Sequence, residues 1–167
     1  MSELGVIAAG DPQTAEAGAE VLRAGGNAVD GVVAAAFTAF IAEMPLASPA
    51  GAGVALWGQE DRYEVVDFFT RMPGIGAPAR SRQTMDFFPV CFDFGPTTQE
   101  FHVGRGAAAV PTALDGLLCL HGRGGRLPLS DVLAPAVRCA RDGVRISAAV
   151  SWIIQLLEPI MLHSPGV

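Results

Sequence analysis

Lysine is absent from this sequence of 167 residues, so all 11 basic residues are arginines. Its absence excludes a Schiff-base lysine and the lysine of a phosphate-binding P-loop within these residues. Charged residues are also scarce, at 17%, whereas hydrophobic residues make up 50%, and this composition excludes an intrinsically disordered chain. The formal net charge of −6 argues against nucleic-acid binding, because phosphate contacts need a basic face. So few charges on so apolar a chain predict a surface that another chain or segment covers.

Cysteines and long apolar runs are scarce as well. The 3 cysteines, Cys91, Cys119 and Cys139, lack the spacing of a zinc site, so we expect no metal and predict that each is a small, buried apolar side chain. The longest largely apolar run, residues 32–42, is too short for a membrane span of about 20 residues. The first residues lack the basic segment of a signal peptide, although a leader removed earlier is an alternative. We therefore expect a soluble cytoplasmic protein with no membrane partner.

The pattern of apolar, capping and breaking residues predicts a mixture of helices and strands. Asp11 before Pro12 favours a helix start, and Asn27 with Asp30 forms a capping-box pattern at the start of the next helix. The predicted helices cover residues 12–23, 28–43, 112–121, 130–140 and 147–157. The predicted strands cover residues 5–10, 54–57, 63–68 and 100–103. The second and third of these strands form a predicted hairpin.

Three further features of the sequence predict local structure. Thr112 and Asp115 form another capping-box pattern, and Pro135 should kink or split the helix that contains it. Residues 70–105 hold many glycines, prolines and hydroxyl residues without a sustained period, so we predict an irregular loop region with a helical turn near residues 82–87. The alternation of helices and strands places the chain among the mixed α/β classes.

No complete catalytic set is visible in the residues alone. The 3 histidines, His102, His121 and His163, lie far apart, and the GxSxG pattern of a nucleophilic serine is absent. His121 falls at a predicted helix end, where a positive imidazole would complement the helix dipole. Residues 104–109 match the dinucleotide-binding pattern GxGxxA, but the strand before them is short and Pro111 interrupts the start of the next helix. We therefore expect a glycine-rich loop there and no bound cofactor, with a dinucleotide-binding domain as the weaker alternative.

The segment GDPQTAEAGAEVLRAGGNAVDGVVAAA, residues 10–36, resembles a segment near the N-terminus of the large subunit in the gamma-glutamyltranspeptidase family. Its specific feature is a pair of glycines followed by Asn27 and Asp30 at fixed spacing. The positions that match the family pattern are Gly18, Leu22, Gly25, Gly26, Asn27, Ala28, Asp30, Val33 and Ala34. Further segments resemble the family in the same order along the chain, at residues 48–56, 63–73 and 106–144.

The resemblance implies an α+β, Ntn-hydrolase-like fold with four layers, αββα, in which two sheets lie between layers of helices. Residues 1–167 would form a single partial domain, the N-terminal part of a large subunit. In that family the precursor cuts itself, and the new N-terminal threonine of the small subunit is the nucleophile, with its own α-amine as base. No catalytic residue is therefore expected in this chain. The expected partners are the small subunit and a gamma-glutamyl or related acyl amide such as glutathione.

One departure from the family pattern concerns the substrate site. Phe69 stands where the family has the arginine that clamps the substrate α-carboxylate, and a phenyl ring cannot form that bidentate ion pair. Arg71 lies two residues on and would face the same side in a strand, so Phe69 and Arg71 are the candidate substrate-binding residues. The simpler alternative for Arg71 is a solvated side chain at a strand end. Two functional alternatives arise: an acylase-type specificity without the clamp, and an inactive member that serves as a binding or scaffold protein.

Overall fold

A computed structural model describes residues 5–59, 61–74, 76 and 86–162 of the chain. The chain divides into two compact units, residues 1–70 with 111–147 and residues 71–110 with 148–167. In the described ranges each unit combines helices with one antiparallel hairpin, so the structure is α+β.

In its described residues the first unit contains one hairpin and four helices. Its elements are α1 (Pro12–Arg23), α2 (Ala28–Ala42), β1 (Gly53–Gln59), β2 (Arg62–Phe68), α3 (Ala113–Gly124) and α4 (Leu129–Asp142). Strands β1 and β2 pair antiparallel, with Leu56 opposite Val65. The hairpin and all four helices lie where the sequence predicts them, within a few residues at their ends.

Two predicted capping patterns are confirmed. The Asp11 carboxylate accepts a hydrogen bond of 2.8 Å from the Gln13 N–H, and Pro12 occupies the first turn of α1. Asn27 and Asp30 exchange side-chain and backbone hydrogen bonds in a complete capping box at α2. Adjacent residues therefore specify both helix starts.

Helices α1 and α2 pack closely because glycines lie where they cross. A Cβ atom added to Gly18 would lie 2.8 Å from the carbonyl oxygen of Gly31, so only a glycine permits this approach of the two backbones. Val33 and Ala34 of α2 are fully buried at 0% exposure. The core around them is formed by Val21, Val29, Val33, Ala34, Val66, Leu120 and Val132. A helix that is apolar nearly all round, as α2 is, thus occupies the centre of this unit.

Helices α3 and α4 correct two of the predictions. Thr112 precedes α3, but its hydroxyl donates to the carbonyl oxygen of Phe68 instead of capping the helix, so the predicted capping box with Asp115 is wrong. Helix α4 continues through Pro135, so the predicted split does not occur. Proline removes one backbone hydrogen bond, but Val132 and Ala136 are buried beside it, and this packing holds the helix together.

The second unit contains a hairpin that the sequence analysis misses. Its elements are β3 (Phe88–Asp93), β4 (Thr98–Val103), a short 3-10 helix (Arg105–Ala107), α5 (Ala148–Leu156) and α6 (Glu158–Met161). The predicted irregular region over residues 70–105 is therefore wrong for residues 88–99, whereas the strand predicted over residues 100–103 is confirmed as the end of β4. Pro89 inside β3 obscures the strand pattern, because proline is disfavoured in paired strands. Of the predicted turn near 82–87, residues 82–85 lie outside the described residues, and 86–87 are not helical.

Two more local predictions are wrong. Residues 5–10 form no strand, because the described sheets each consist of a single hairpin and offer this segment no pairing. Cys91 and Cys119 are exposed and Cys139 is half-buried, whereas burial was predicted. Phe92 and Leu120, next in sequence to the first two, take the buried positions, so the thiols point away from the packed side. None of the helices in the described ranges has the length and hydropathy of a membrane span.

Candidate functional site

The family-like segment builds a buried carboxylate at the start of α2. Asp30 is 0% exposed, and its oxygens accept backbone N–H bonds from Asn27 at 2.9 Å and from Arg126 at 3.0 and 3.1 Å. The Leu127 N–H adds a bond of 3.3 Å. These donors, together with the N-terminal end of α2, compensate the buried negative charge. Asp30 therefore fastens the start of α2 to the loop between α3 and α4.

Asn27 and His121 extend the same network. The Asn27 side-chain amide donates to the carbonyl oxygen of Gly124 at 2.6 Å. His121 Nε2 lies 3.0 Å from the Leu127 carbonyl oxygen and 3.6 Å from Asp30 Oδ1. His121 lies in the last turn of α3, as predicted, and its ring contacts the adjoining loop. The polar side chains of this network form hydrogen bonds to backbone N–H and C=O groups of the protein. The motif therefore stabilises the fold rather than binding a substrate.

The groups of the α3–α4 loop that bind Asp30 cannot be recognised from the side chains in the sequence. The loop donates through the backbone N–H groups of Arg126 and Leu127, which any residue except proline could supply. The only signal is the surrounding glycines. A Cβ atom on Gly124 would lie 2.9 Å from Val29 and 3.0 Å from the Trp57 ring, so a glycine is needed for the loop to pack this closely.

Phe69, the first candidate substrate-binding residue, directly follows β2. Its side chain is 65% exposed. Its backbone N–H donates to Asp67 Oδ1 at 2.9 Å, an Asx-type turn that ends the strand locally. The phenyl ring is thus presented to solvent at a strand end, in a position where it could line a binding site but could not pair with a carboxylate.

Arg71, the second candidate, lies in the other compact unit. Its backbone carbonyl accepts the Val110 N–H at 2.9 Å in an isolated β-bridge. The residue is exposed, and its guanidinium forms no hydrogen bond or ion pair within the described ranges. Because β2 ends at Phe68, strand alternation does not run through residues 69–71, and the argument for a shared face fails.

The glycine loop after β4 is filled by the protein itself. A Cβ atom on Gly104, whose φ is 106°, would clash with the Asp86 carbonyl oxygen, and the Gly106 N–H donates to the same oxygen at 2.9 Å. The strand before the loop belongs to an antiparallel hairpin rather than to a βαβ unit. These contacts exclude the dinucleotide alternative for residues 104–109.

An exposed ion pair closes that loop. Arg105 Nε lies 2.7 Å from Asp86 Oδ1. The hydrogen bond from Arg105 stabilises the carboxylate and lowers the pKa of Asp86 below its ordinary value, and the same bond raises the pKa of Arg105.

Of the other two histidines, only His102 lies within the described residues. His102 stacks on Phe87 at a centroid distance of 4.5 Å and lies 3.6 Å from Glu100. His163 lies outside the described residues. Within the described ranges no group of three or more His, Cys, Asp or Glu side chains has a geometry that could hold a metal ion.

One face of the β1–β2 hairpin is apolar and uncovered. Its apolar members, together called the outer face, are Val54, Leu56, Tyr63 and Val65, which are 59%, 70%, 71% and 59% exposed. The exposed Asp67, opposite Val54, lies on the same side at the end of the hairpin. The opposite face supplies Ala55, Trp57, Val66 and Phe68 to the core. A sheet with apolar residues on both faces is typical of a layer buried between two others.

Comparison with known proteins places this architecture in a defined class. The gamma-glutamyltranspeptidase of Helicobacter pylori superposes with a TM-score of 0.75 at 22% identity, and the match covers 98% of this chain and 45% of that one. The chain thus has the fold of the matched part of that protein. The family model "Gamma-glutamyltranspeptidase" matches residues 14–166, and the chain belongs to the gamma-glutamyltranspeptidase family.

Two of the curated relatives have different names. An acylase ACY 1 proenzyme from Pseudomonas sp. (strain V22) is 31% identical over 98% of this chain and 29% of its own length. A glutathione hydrolase proenzyme from Pseudomonas aeruginosa is 33% identical over 86% of this chain and 24% of its own length. The chain therefore spans about a quarter of the length of these two relatives, and both are named as proenzymes.

Proposed function

We propose that this chain is the N-terminal part of the large subunit of an Ntn hydrolase that hydrolyses or transfers the acyl group of an amide. The substrate class is gamma-glutamyl or related acyl amides, with glutathione as the representative. The nucleophile is the N-terminal threonine of a small subunit that residues 1–167 do not contain. Its hydroxyl attacks the amide carbonyl while its α-amine takes the hydroxyl proton. The α-amine passes that proton to the amide nitrogen as the C–N bond breaks and the amine departs, and the ester formed then yields its acyl group to water or to an acceptor amine.

The observation that carries this proposal is the outer face of the β1–β2 hairpin. Leu56 and Val65 form an exposed cross-strand pair, and exposed apolar surface of this kind marks a place that another chain or segment covers. In an αββα sandwich, this face would pack on the second sheet. We therefore propose that the remainder of the enzyme, including the small subunit, covers the outer face. That residues 1–167 form a single partial domain, in the cytoplasm, stays a prediction.

An acylase-type specificity is the second candidate, and Phe69 favours it. The exposed ring stands where the family has its carboxylate-binding arginine, so the acyl group bound here would not need an α-carboxylate. The name of the acylase relative from Pseudomonas agrees with this alternative. An inactive scaffold member remains the third candidate, motivated by the same missing arginine.

A panel of amides separates these candidates. The protein expressed from the full reading frame is assayed on gamma-glutamyl amides, matched acyl amides without the α-amino acid group, and glutathione. Amide hydrolysis supports the proposed function, and a preference for the second set supports the acylase alternative. If gamma-glutamyl amides are preferred, Arg71→Ala tests whether Arg71 binds them, with Arg62→Ala as the matched control at another exposed arginine. A lower kcat/KM in Arg71→Ala alone would support Arg71 as a substrate-binding residue, and equal values in both variants would leave it a solvated side chain. No hydrolysis of any amide would overturn the enzymatic proposal and leave the scaffold alternative.

A further inference from the structure

A cleft of about 330 Å³ lies in the first unit, between the loop that follows α2 and the start of α3. Its walls are formed by Pro49, Ala50, Pro111, Thr112, Leu114 and Asp115. Four of these side chains are apolar, and Leu114 is 41% exposed, so a small molecule in the cleft would meet apolar surface. The cleft therefore has the chemistry of a site for an apolar group.

Hydrogen bonds place the cleft beside Phe69, the first candidate substrate-binding residue. The Thr112 hydroxyl, on the cleft wall, donates to the carbonyl oxygen of Phe68 at 2.5 Å. The backbone N–H groups of Thr112 and Ala113 both donate to the Gly51 carbonyl oxygen at 3.0 Å. These bonds fasten the end of β2, the loop after α2 and the start of α3 to one another. Because Phe69 directly follows Phe68, the cleft adjoins the position at which this chain lacks the family's carboxylate-binding arginine.

Among the residues that the structure describes, the Asp115 carboxylate is the one charged group on the cleft wall. It is exposed and forms no ion pair within the described ranges. It lies in the first turn of α3, where a negative side chain is favourable at the positive end of the helix dipole. A carboxylate on a bound molecule would therefore meet a like charge, whereas an uncharged chain would meet no such repulsion.

We propose that the cleft binds the acyl group of the substrate, and that Leu114 and Asp115 determine which acyl group is accepted. Leu114 contacts an uncharged chain, whereas Asp115 repels an acyl group that ends in a carboxylate. The inference rests on the proposed function and narrows it to the acylase form. Two independent features then select the same substrates, because Phe69 provides no cation for a carboxylate and Asp115 places a like charge near it.

Two substrates that differ in a single carboxylate test the role of Asp115. Hexanoyl and adipoyl p-nitroanilides have acyl chains of the same length, and only the adipoyl chain ends in a carboxylate. We expect the protein from the full reading frame to prefer the hexanoyl substrate. Asp115→Asn removes the like charge, so it should raise kcat/KM for the adipoyl substrate about threefold to tenfold at low salt and leave the hexanoyl value unchanged.

Asp131→Asn is the matched control, because Asp131 occupies the first turn of α4 and does not line the cleft. It should leave kcat/KM for both substrates unchanged. An equal gain in this control, a gain that persists at high salt, or no gain in Asp115→Asn would overturn the role of the Asp115 charge.

A second pair of variants tests the apolar wall. Leu114 and Leu118 lie one turn apart on α3 and are 41% and 43% exposed, but of the two only Leu114 lines the cleft. Leu114→Ala should lower kcat/KM for the hexanoyl substrate about tenfold, because the chain loses apolar contact. Leu118→Ala should leave this value unchanged, and similar values in the two variants would overturn the assignment of the cleft.

Binding measured without turnover separates this inference from the proposed function. Hexanamide and adipamate, the amides of the same two chains, are titrated into the same preparation while NMR follows the Leu114 methyl signals. Shifts that saturate at lower concentration with hexanamide support the cleft, and in a protein that hydrolyses no amide they would overturn the enzymatic proposal alone. An active protein that prefers gamma-glutamyl or adipoyl amides, without a response at Leu114, would overturn this inference alone. An inactive protein without that response would overturn both.

Discussion

Asp30 holds the most connected polar position in the first unit. It lies fully buried and accepts backbone N–H bonds from Asn27, Arg126 and Leu127. A carboxylate can accept all of these bonds at once, whereas an amide presents one oxygen and one donor. The family-like motif therefore requires a carboxylate at position 30, and an amide of the same shape does not replace it.

Replacing Asp30 by Asn should destabilise the protein by about 1–3 kcal/mol, because the side-chain NH2 would face backbone donors that lose their acceptor. Urea unfolding of the purified protein measures the loss. The matched control is Glu16→Gln, which breaks the exposed pair with Arg23 and should cost under about 1 kcal/mol. An Asp30→Asn variant as stable as this control would contradict the structural role of the buried carboxylate.

The ion pair of Asp86 with Arg105 predicts a titration that can be observed directly. The hydrogen bond from Arg105 lowers the pKa of Asp86 in the folded protein. A lowered folded pKa means that the stabilisation is present above the unfolded pKa and is lost as pH falls through the folded value. Arg105→Gln should return the Asp86 pKa toward its ordinary value in an NMR titration. A pKa unchanged by that substitution would show that another group causes the shift.

Phe69 is the residue at which the proposed substrate specificity can be tested. Phe69→Arg should raise kcat/KM for gamma-glutamyl amides over matched acyl amides by roughly tenfold to a hundredfold, because a bidentate ion pair contributes about 1.5–3 kcal/mol. Phe69→Lys is the control, since its point charge lacks the bidentate geometry and should give a smaller gain. Equal selectivity in wild type and both variants would remove Phe69 from the substrate site.

At the scale of elements, two glycines of α3 occupy opposite environments. A Cβ atom on Gly116 would clash with the Phe68 side chain, whereas one on Gly122 would meet nothing within 4 Å. Gly116→Ala should therefore destabilise the unit by about 1–3 kcal/mol through overpacking against β2. Gly122→Ala should stabilise it by up to about 1 kcal/mol through helix propensity. Thermal unfolding compares the two, and a similar Tm shift in both would contradict the packing of α3 on β2.

The elements that sequence analysis predicts well are those with local signals. The Asp11 and Asn27 caps and the β1–β2 hairpin carry their information in adjacent residues. Thr112 fails as a cap because its hydroxyl finds the Phe68 carbonyl, 44 residues away in the chain. The β3–β4 hairpin is missed because Pro89 weakens the local strand pattern. Tertiary partners therefore decide the structure wherever a local signal is ambiguous.

At the scale of the whole molecule, composition and the family resemblance predict most of what the structure contains. The low charge content predicts an uncovered apolar surface, and the outer face of Val54, Leu56, Tyr63 and Val65 is such a surface. The candidate site is predicted less completely. Phe69 lies exposed at a strand end, but the end of β2 removes the basis for pairing it with Arg71. In the proposed function another subunit completes the site, so residues 1–167 would form only part of its walls.

Intact-mass spectrometry of the protein expressed from the full reading frame tests the central claim most directly. The account predicts two fragments, of which the smaller begins with threonine and the larger contains residues 1–167. That result would make this chain part of a self-processed enzyme. A single uncut mass would contradict the account and favour a member of the family that has kept the fold without its chemistry.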